Sequence, residues 1–317
     1  MDYMLDPQRL WRGEQAWDAP LALVVLDSAS RYPEEPALPA CPLIGLGDPG
    51  HPFAKHTDCV IEAPVTLEGL TGQVLNKPHA AAVIVDLLRL MPGLDMQQGL
   101  SAESMAYGLL QGSAEHAEWM AAQAPGGTHT QEGRVEIARD GRHMKVILDR
   151  AEHGNAIDRV MRDALREAFE LASLDPEIEQ VSLRGEGRTF CLGADLVEFG
   201  TTTDPATAHA IRARTLPARW AAQCAGKLDV HVQGGCVGAG LEIAAFAHRM
   251  TASPGAWFQL PELAMGILPG AGGCVSLSRR IGRQRTALMV LSGKRISAKQ
   301  ALDWRLVDAI VDHPPGH

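Results

Sequence analysis

Three glycine-rich turns lie between Gly187 and Gly273, and each joins an apolar approach to an expected helix. In the first, Phe190-Cys-Leu192 runs through Gly193 into Ala194-Asp195. In the second, the strand-like Val230-His-Val232 enters Gly234-Gly-Cys-Val-Gly-Ala-Gly240 and then a helical Leu241-Glu-Ile-Ala244. The third runs from Phe258 past Glu262 to Pro269-Gly-Ala-Gly-Gly273, which opens another helix. Glycine lets the backbone turn tightly and leaves amide groups accessible. The start of a helix also favours negative charge. Repeated strand–turn–helix passages confine the chain to a layered α/β fold.

Taken singly, these turns say little. The first reads as an ordinary turn in which Asp195 caps a helix. The third reads as an exposed loop that happens to carry Glu262, although an unpaired carboxylate in a mostly apolar run is costly unless it is protonated or held for a purpose. The second invites comparison with a dinucleotide-binding loop. That fingerprint fails because Ile243 stands where the last glycine or alanine belongs, and Glu242 would oppose a pyrophosphate. The combination is more telling. Glu242 lies one helical turn after Ala239, so both can face one ligand. Two turns then offer N–H donors beside two glutamates, Glu242 and Glu262. Paired acids suit proton transfer, and paired amides suit the oxyanion of a thioester enolate.

The rest of the chain frames these turns. Val135–Ala138 and Lys145–Asp149 flank Asp140-Gly141 as an expected hairpin. Residues 157–174 have helical apolar spacing, ended by Asp175-Pro176, and a strand is expected over 178–183. Ala124–Gly133 is small, polar and aperiodic, which predicts a linker. It separates an amino-terminal α/β unit (1–126) from a larger domain (134–317). In the first unit, strands are expected at 21–26, 42–46 and 59–61. Helices are expected at 80–90, 101–110 and 114–123, with Ser101 and Glu103 marking a helix start. Asp48, His51, His56 and Asp58 resemble metal ligands in type, but turn chemistry explains the segment, so no metal is expected.

Composition sets the remaining bounds. The chain is 46% hydrophobic and 21% charged, as in a globular protein. Its net charge of −9 and lack of basic runs argue against nucleic acid. No apolar stretch has membrane-spanning length, and the first twenty residues lack a signal-peptide pattern, so a cytoplasmic protein without membrane association is expected. Six scattered cysteines without a CxxC pair read as reduced thiols.

At the residues quoted above, the sequence resembles the crotonase (enoyl-CoA hydratase/isomerase) superfamily over about 134–312. Leu148-Asp-Arg-Ala-Glu-His-Gly-Asn-Ala-Ile157 is similar to an early family motif, and Phe190–Asp195 resembles its FCAGAD turn. Val237–Ala244 and Leu260–Gly273 resemble the two segments that carry glutamates, and Ser292–Ala301 with Arg305–Asp308 resembles the segment that follows. The resemblance implies a spiral of ββα units, here preceded by the small α/β unit, in a homo-oligomer of three or six chains. It implies an oxyanion hole from the amides of Ala194 and Ala239, on turns opened by Gly193 and Gly238, which are counted with the substrate-binding residues. It also implies that Glu242 activates water and Glu262 protonates C2, as in a hydratase acting on an acyl-CoA thioester. Coenzyme A then enters as part of the substrate and no separate cofactor is expected. Arg150 and Arg188 flank the expected site as candidates for the CoA phosphates, against the ordinary alternative of surface arginines. The alternatives are another lyase, isomerase or dehydratase of the fold, acting on a CoA or carrier-protein thioester, or a non-catalytic partner subunit.

The sequence departs from the family pattern in three places. Ala239 replaces a usual glycine, and Asp229 sits at a normally apolar strand position. The helices that ordinarily follow the last motif, covering the acyl pocket and contacting the nucleotide, are not found before His317. The expectation is that residues 1–126, or a partner chain, cover the pocket instead.

Overall fold

The computed structural model describes residues 3–6, 9–10, 18–123 and 132–312. Most of the expected linker therefore lies outside the described residues.

The amino-terminal unit begins with β1 (Ala22–Leu26), β2 (Leu43–Gly47) and β3 (Cys59–Val60), which pair in parallel in that order. Residues alternate in β1 as strand geometry requires. Leu21 and Leu23 enter the main core, whereas Ala22, Val24 and Leu26 pack in a second, smaller cluster with Leu43 and Phe53. Four helices follow: α1 (Leu67–Asn76), α2 (Pro78–Leu90), α3 (Met96–Gln111) and α4 (Ala114–Ala122). The first of these is absent from the sequence reading, although Thr66 caps it and Pro78 restarts the chain as α2. Helix α3 begins five residues before the expected Ser101. The carboxylate of Asp95 accepts from the Gln98 amide while the Gln98 side chain accepts from the Asp95 amide, so a capping box defines the true start.

The larger unit opens with the expected hairpin, β4 (Arg134–Asp140) and β5 (His143–Asp149), paired antiparallel around Gly141 at φ +59°. It continues with α5 (Arg159–Leu174, capped by Asp158), β6 (Gln180–Gly185), α6 (Pro205–Thr215) and α7 (Ala218–Gln223). Next come β7 (Leu228–Val232), β8 (Gly235–Val237), α8 (Ala239–Ala244), β9 (Arg249–Ala252) and β10 (Trp257–Gln259). The described chain ends with α9 (Gly273–Ile281), α10 (Arg283–Ser292), β11 (Ile296–Ser297), α11 (Ala298–Asp303) and β12 (Ala309–Ile310). After Asp195 the chain forms only a 3-10 turn, not the expected helix.

Successive strand–strand–helix units stack to form this part of the molecule. First strands β7, β9 and β12 join a six-stranded sheet ordered β12-β9-β7-β6-β5-β4. Second strands β8 and β10 pair in parallel in a small sheet closed by β11. With Cys236 opposite Phe258, the chain leaving β8 runs beside the chain leaving β10, and the Gly238 amide donates to the Gln259 carbonyl. That register brings the second and third glycine turns together.

One hydrophobic core runs through both parts. Leu70, Val74, Ile84, Val85 and Leu88 of the amino-terminal helices share it with Leu288, Leu291 and Val275 of the later units. All six cysteines are buried and unpaired. Among the described residues, no helix is long and apolar enough to cross a membrane.

Candidate active site

Asn155 organises the first turn. It holds φ +55°, a conformation asparagine tolerates better than most residues. Its Oδ1 accepts from the Arg150 amide, and its Nδ2 donates to the carbonyls of Glu186, Thr189 and Phe190. Two residues on, the Ile157 amide donates to the Gly193 carbonyl and the Asp195 amide donates to the Ile157 carbonyl. Because strand hydrogen bonds alternate in direction, the Ala194 amide between them points the other way.

The second turn is tied to the first by strand-like pairing. Cys191 stands opposite Cys236, with the Cys191 amide donating to Gly235 and the Val237 amide to Cys191. Three residues further along each chain come Ala194 and Ala239. Gly193 lies so close that a Cβ added to it would sit 3.3 Å from the Val237 carbonyl oxygen and 3.9 Å from the Ala239 nitrogen. Among the described residues, neither the Ala194 nor the Ala239 amide has a hydrogen-bond acceptor. Gly238 is demanded twice over. It holds φ +47°, and a Cβ there would come within 2.7 Å of the Glu262 Oε1.

Both glutamates reach the same place. Ala194, Ala239, Glu242 and Glu262, together with Gly193 and Gly238, line one cavity of about 510 Å³. That volume falls within the ~300–1,000 Å³ usual for small-molecule sites. Glu242 Oε2 accepts from the amides of Ala271 (2.6 Å) and Gly273 (2.9 Å) in the third turn, while its Oε1 has no partner among the described residues. Burial pushes its carboxyl up to about 7, against the opposing pull of those two amides. Glu262 differs. Its Oε2 is buried without a hydrogen-bond partner, and burial, followed by the charge of Glu242, drives its carboxyl well above the usual range. Both carboxyl groups are thus raised, and the charge of Glu242 adds to the rise at Glu262.

The amino-terminal unit supplies part of the wall. Tyr107 and Gln111 of α3 and His116 of α4 line the cavity. Tyr107 packs over the third turn so tightly that a Cβ on Gly270 would lie 2.2 Å from its ring. The Arg212 guanidinium of α6 stands 4.5 Å from the centre of that ring and donates to Gln111 and to Ser104, joining α6 to α3. One further acid, Glu103 of α3, is buried against the third turn. Local sequence pattern did not mark Tyr107, Gln111, His116 or Arg212, and it read Glu103 only as part of a helix start, because helical spacing alone does not say what α3 packs against.

The two arginines fare differently from expectation. Arg150 does not meet a surface where a phosphate could lie, since its side chain is 2% exposed. Its Nη1 donates to Asp195 at 2.7 Å and lies 3.7 Å from Asp158, neutralising two buried carboxylates that cap the adjoining turns. Arg188 is exposed on the loop before Phe190 and does not line the cavity. Removing one member of a buried ion pair commonly costs ~3–5 kcal/mol. Arg150→Met is therefore expected to lower stability in urea unfolding by about 3 kcal/mol. Unchanged stability with weakened CoA-thioester binding would instead restore the phosphate role.

A model of the enoyl-CoA hydratase/isomerase family matches residues 142–314, leaving the amino-terminal unit outside the match. A 2,3-dehydroadipyl-CoA hydratase from Escherichia coli is 35% identical over 176 residues, covering 55% of this chain and 68% of that protein. A mevalonyl-coenzyme A hydratase from Beauveria bassiana is 32% identical over 175 residues, 52% of this chain and 62% of its own length. The crystal structure of an enoyl-CoA hydratase from Thermoplasma volcanium aligns with a TM-score of 0.51 at 33% identity, over 56% of this chain and 72% of that one. The chain thus spans about two thirds of the length of the relatives it matches.

Proposed function

Since the chain belongs to the enoyl-CoA hydratase/isomerase family, we propose that it adds water across the double bond of an α,β-unsaturated acyl-CoA thioester, or removes it in reverse. The observation that carries this reading is the convergence of two acceptor-free amides and two unequal carboxylates on one cavity.

The thioester oxygen accepts from the amides of Ala194 and Ala239. These bonds strengthen as the oxygen gains enolate charge, so they favour the transition state over bound substrate. Each such donor is worth ~3 kcal/mol in comparable sites. Glu242, the acid that ionises more readily, takes a proton from water through its partner-free Oε1 as the water oxygen bonds to C3. Glu262, held protonated, gives its proton to C2 as the enolate collapses. Water has then been added, and the two carboxyl groups have exchanged protonation states. Exchange of one proton through solvent resets them.

Crotonyl-CoA hydration, followed by loss of the enoyl absorbance, tests the proposal directly; no turnover of any enoyl thioester would sink it. The pH dependence follows with a definite sign. Glu242 must be ionised to act as the base, so kcat/KM is expected to fall as pH drops through about 7. An acid limb near 4.5, the ordinary glutamate range, would remove Glu242 from this role.

A further inference from the structure

The third glycine turn is held from two sides. Along 271–274 the backbone amides alternate between acids: Ala271 and Gly273 donate to Glu242, while Gly272 (2.7 Å) and Cys274 (2.8 Å) donate to the two oxygens of Glu103. Glu242 comes from α8, whereas Glu103 comes from the middle of α3, in the amino-terminal unit that the family match leaves out. Glu103 is 1% exposed and Glu242 is 2% exposed. Two buried carboxyl groups on either side of one short turn are costly. A carboxyl group is also the side chain whose two equivalent oxygens can receive both remaining amides. Tyr107, one helical turn further along α3, seats its ring on Gly270 at the start of the same turn.

We propose that Glu103 is a positioning residue for the reaction: by holding the Gly272 and Cys274 amides, it fixes the turn whose other two amides orient Glu242, so that the amino-terminal unit completes the catalytic base. This rests on the hydratase reading for its kinetic consequences but not for its structural ones. The groups facing Glu242 are Glu103 and Tyr107 from α3, Glu262 from the third segment and Cys274 from α9, with Arg212 of α6 facing Glu103. Burial, followed by the charge of Glu242, raises the Glu103 carboxyl well above its usual range, against the opposing pull of the Gly272 and Cys274 amides. Burial and the Ala271 and Gly273 amides set the Glu242 shift, so the loss of Glu103 reaches Glu242 through the loosened turn. Those amides favour the ionised form, so the Glu242 midpoint should rise.

The test uses the full chain labelled with ¹³C at the glutamate side-chain carboxyl, with the Glu242 signal identified by its loss in Glu242→Gln. In Glu103→Ala, the Glu242 midpoint is expected to rise by about one pH unit. On crotonyl-CoA, kcat is expected to fall roughly 10–100-fold, as small misplacements of catalytic groups do, with KM little changed. The acid limb of the rate profile should move by the same amount as the midpoint. Glu103→Asp should recover part of both effects. If Glu103→Ala does not fold, Glu103→Gln, which keeps the side-chain volume and one acceptor, takes its place. A folded variant whose Glu242 midpoint stays put overturns the proposal, even if activity or melting temperature falls. A wild-type protein inert towards crotonyl-CoA would count against the hydratase reading alone, because the titration still reports on positioning.

Discussion

Glu242→Gln and Glu262→Gln are each expected to lower kcat for crotonyl-CoA hydration by about 10²–10⁴-fold, the usual contribution of one positioned acid or base. The amide is isosteric and neutral, so the cavity keeps its shape while the proton transfer is lost. Both variants should leave binding largely intact. Both third-turn amides donate to one oxygen of Glu242, so the carbonyl oxygen of a glutamine at 242 can keep them and KM should change little. Glu262 has a buried, partner-free oxygen, and its replacement should change kcat with little change in KM. The double variant should be scarcely worse than the poorer single one, since the acids act on one reaction as a unit. Rates unaffected by both substitutions would remove the proposed mechanism and leave only the fold.

These residues were legible because the information about them is local. Ala194, Ala239, Glu242 and Glu262 each sit within a few residues of a glycine turn whose backbone conformation the sequence announces, as at Gly193 (φ +102°) and Gly238 (φ +47°). The stacked register of β8 and β10 then brings the turns together with no further signal needed. Arg150 was misread for the opposite reason. Its partner Asp195 lies 45 residues away, and a lone arginine after a strand looks the same whether it meets solvent, a phosphate or a buried acid. Glu103 shows the same limit more sharply. It lies 169 residues before the amide it holds, and it reads only as a helix-start residue until the packing of α3 is known. The misplaced start of α3 is different again, because the Asp95–Gln98 capping pattern is local and present in the sequence, although the expected start rests on Ser101.

Removal of residues 1–126 is expected to abolish both cooperative unfolding and activity in the remaining fragment. Helix α10 shows why. Thr286 through Leu291 are all buried, so the helix has no solvent-facing stripe along that stretch. Its outer side is covered by β3, α1 and α2, and the side chain of Gln284 donates to the carbonyls of Ala54 and Thr57. Uncovering buried aliphatic side chains costs ~1.5–3 kcal/mol apiece. A handful of them matches the ~5–15 kcal/mol by which a domain is stable. Deletion would also release the Gly272 and Cys274 amides from Glu103 and open the cavity wall at Tyr107, Gln111 and His116. Even a fragment that survived would therefore carry a misoriented Glu242. Expression of residues 127–317 alone, followed by thermal melting and the crotonyl-CoA assay, separates the two effects. A soluble fragment that melts cooperatively but turns over slowly would place the unit's contribution in the site rather than in the core. A fragment with wild-type melting and wild-type kcat would mean that the amino-terminal unit contributes neither cover nor positioning.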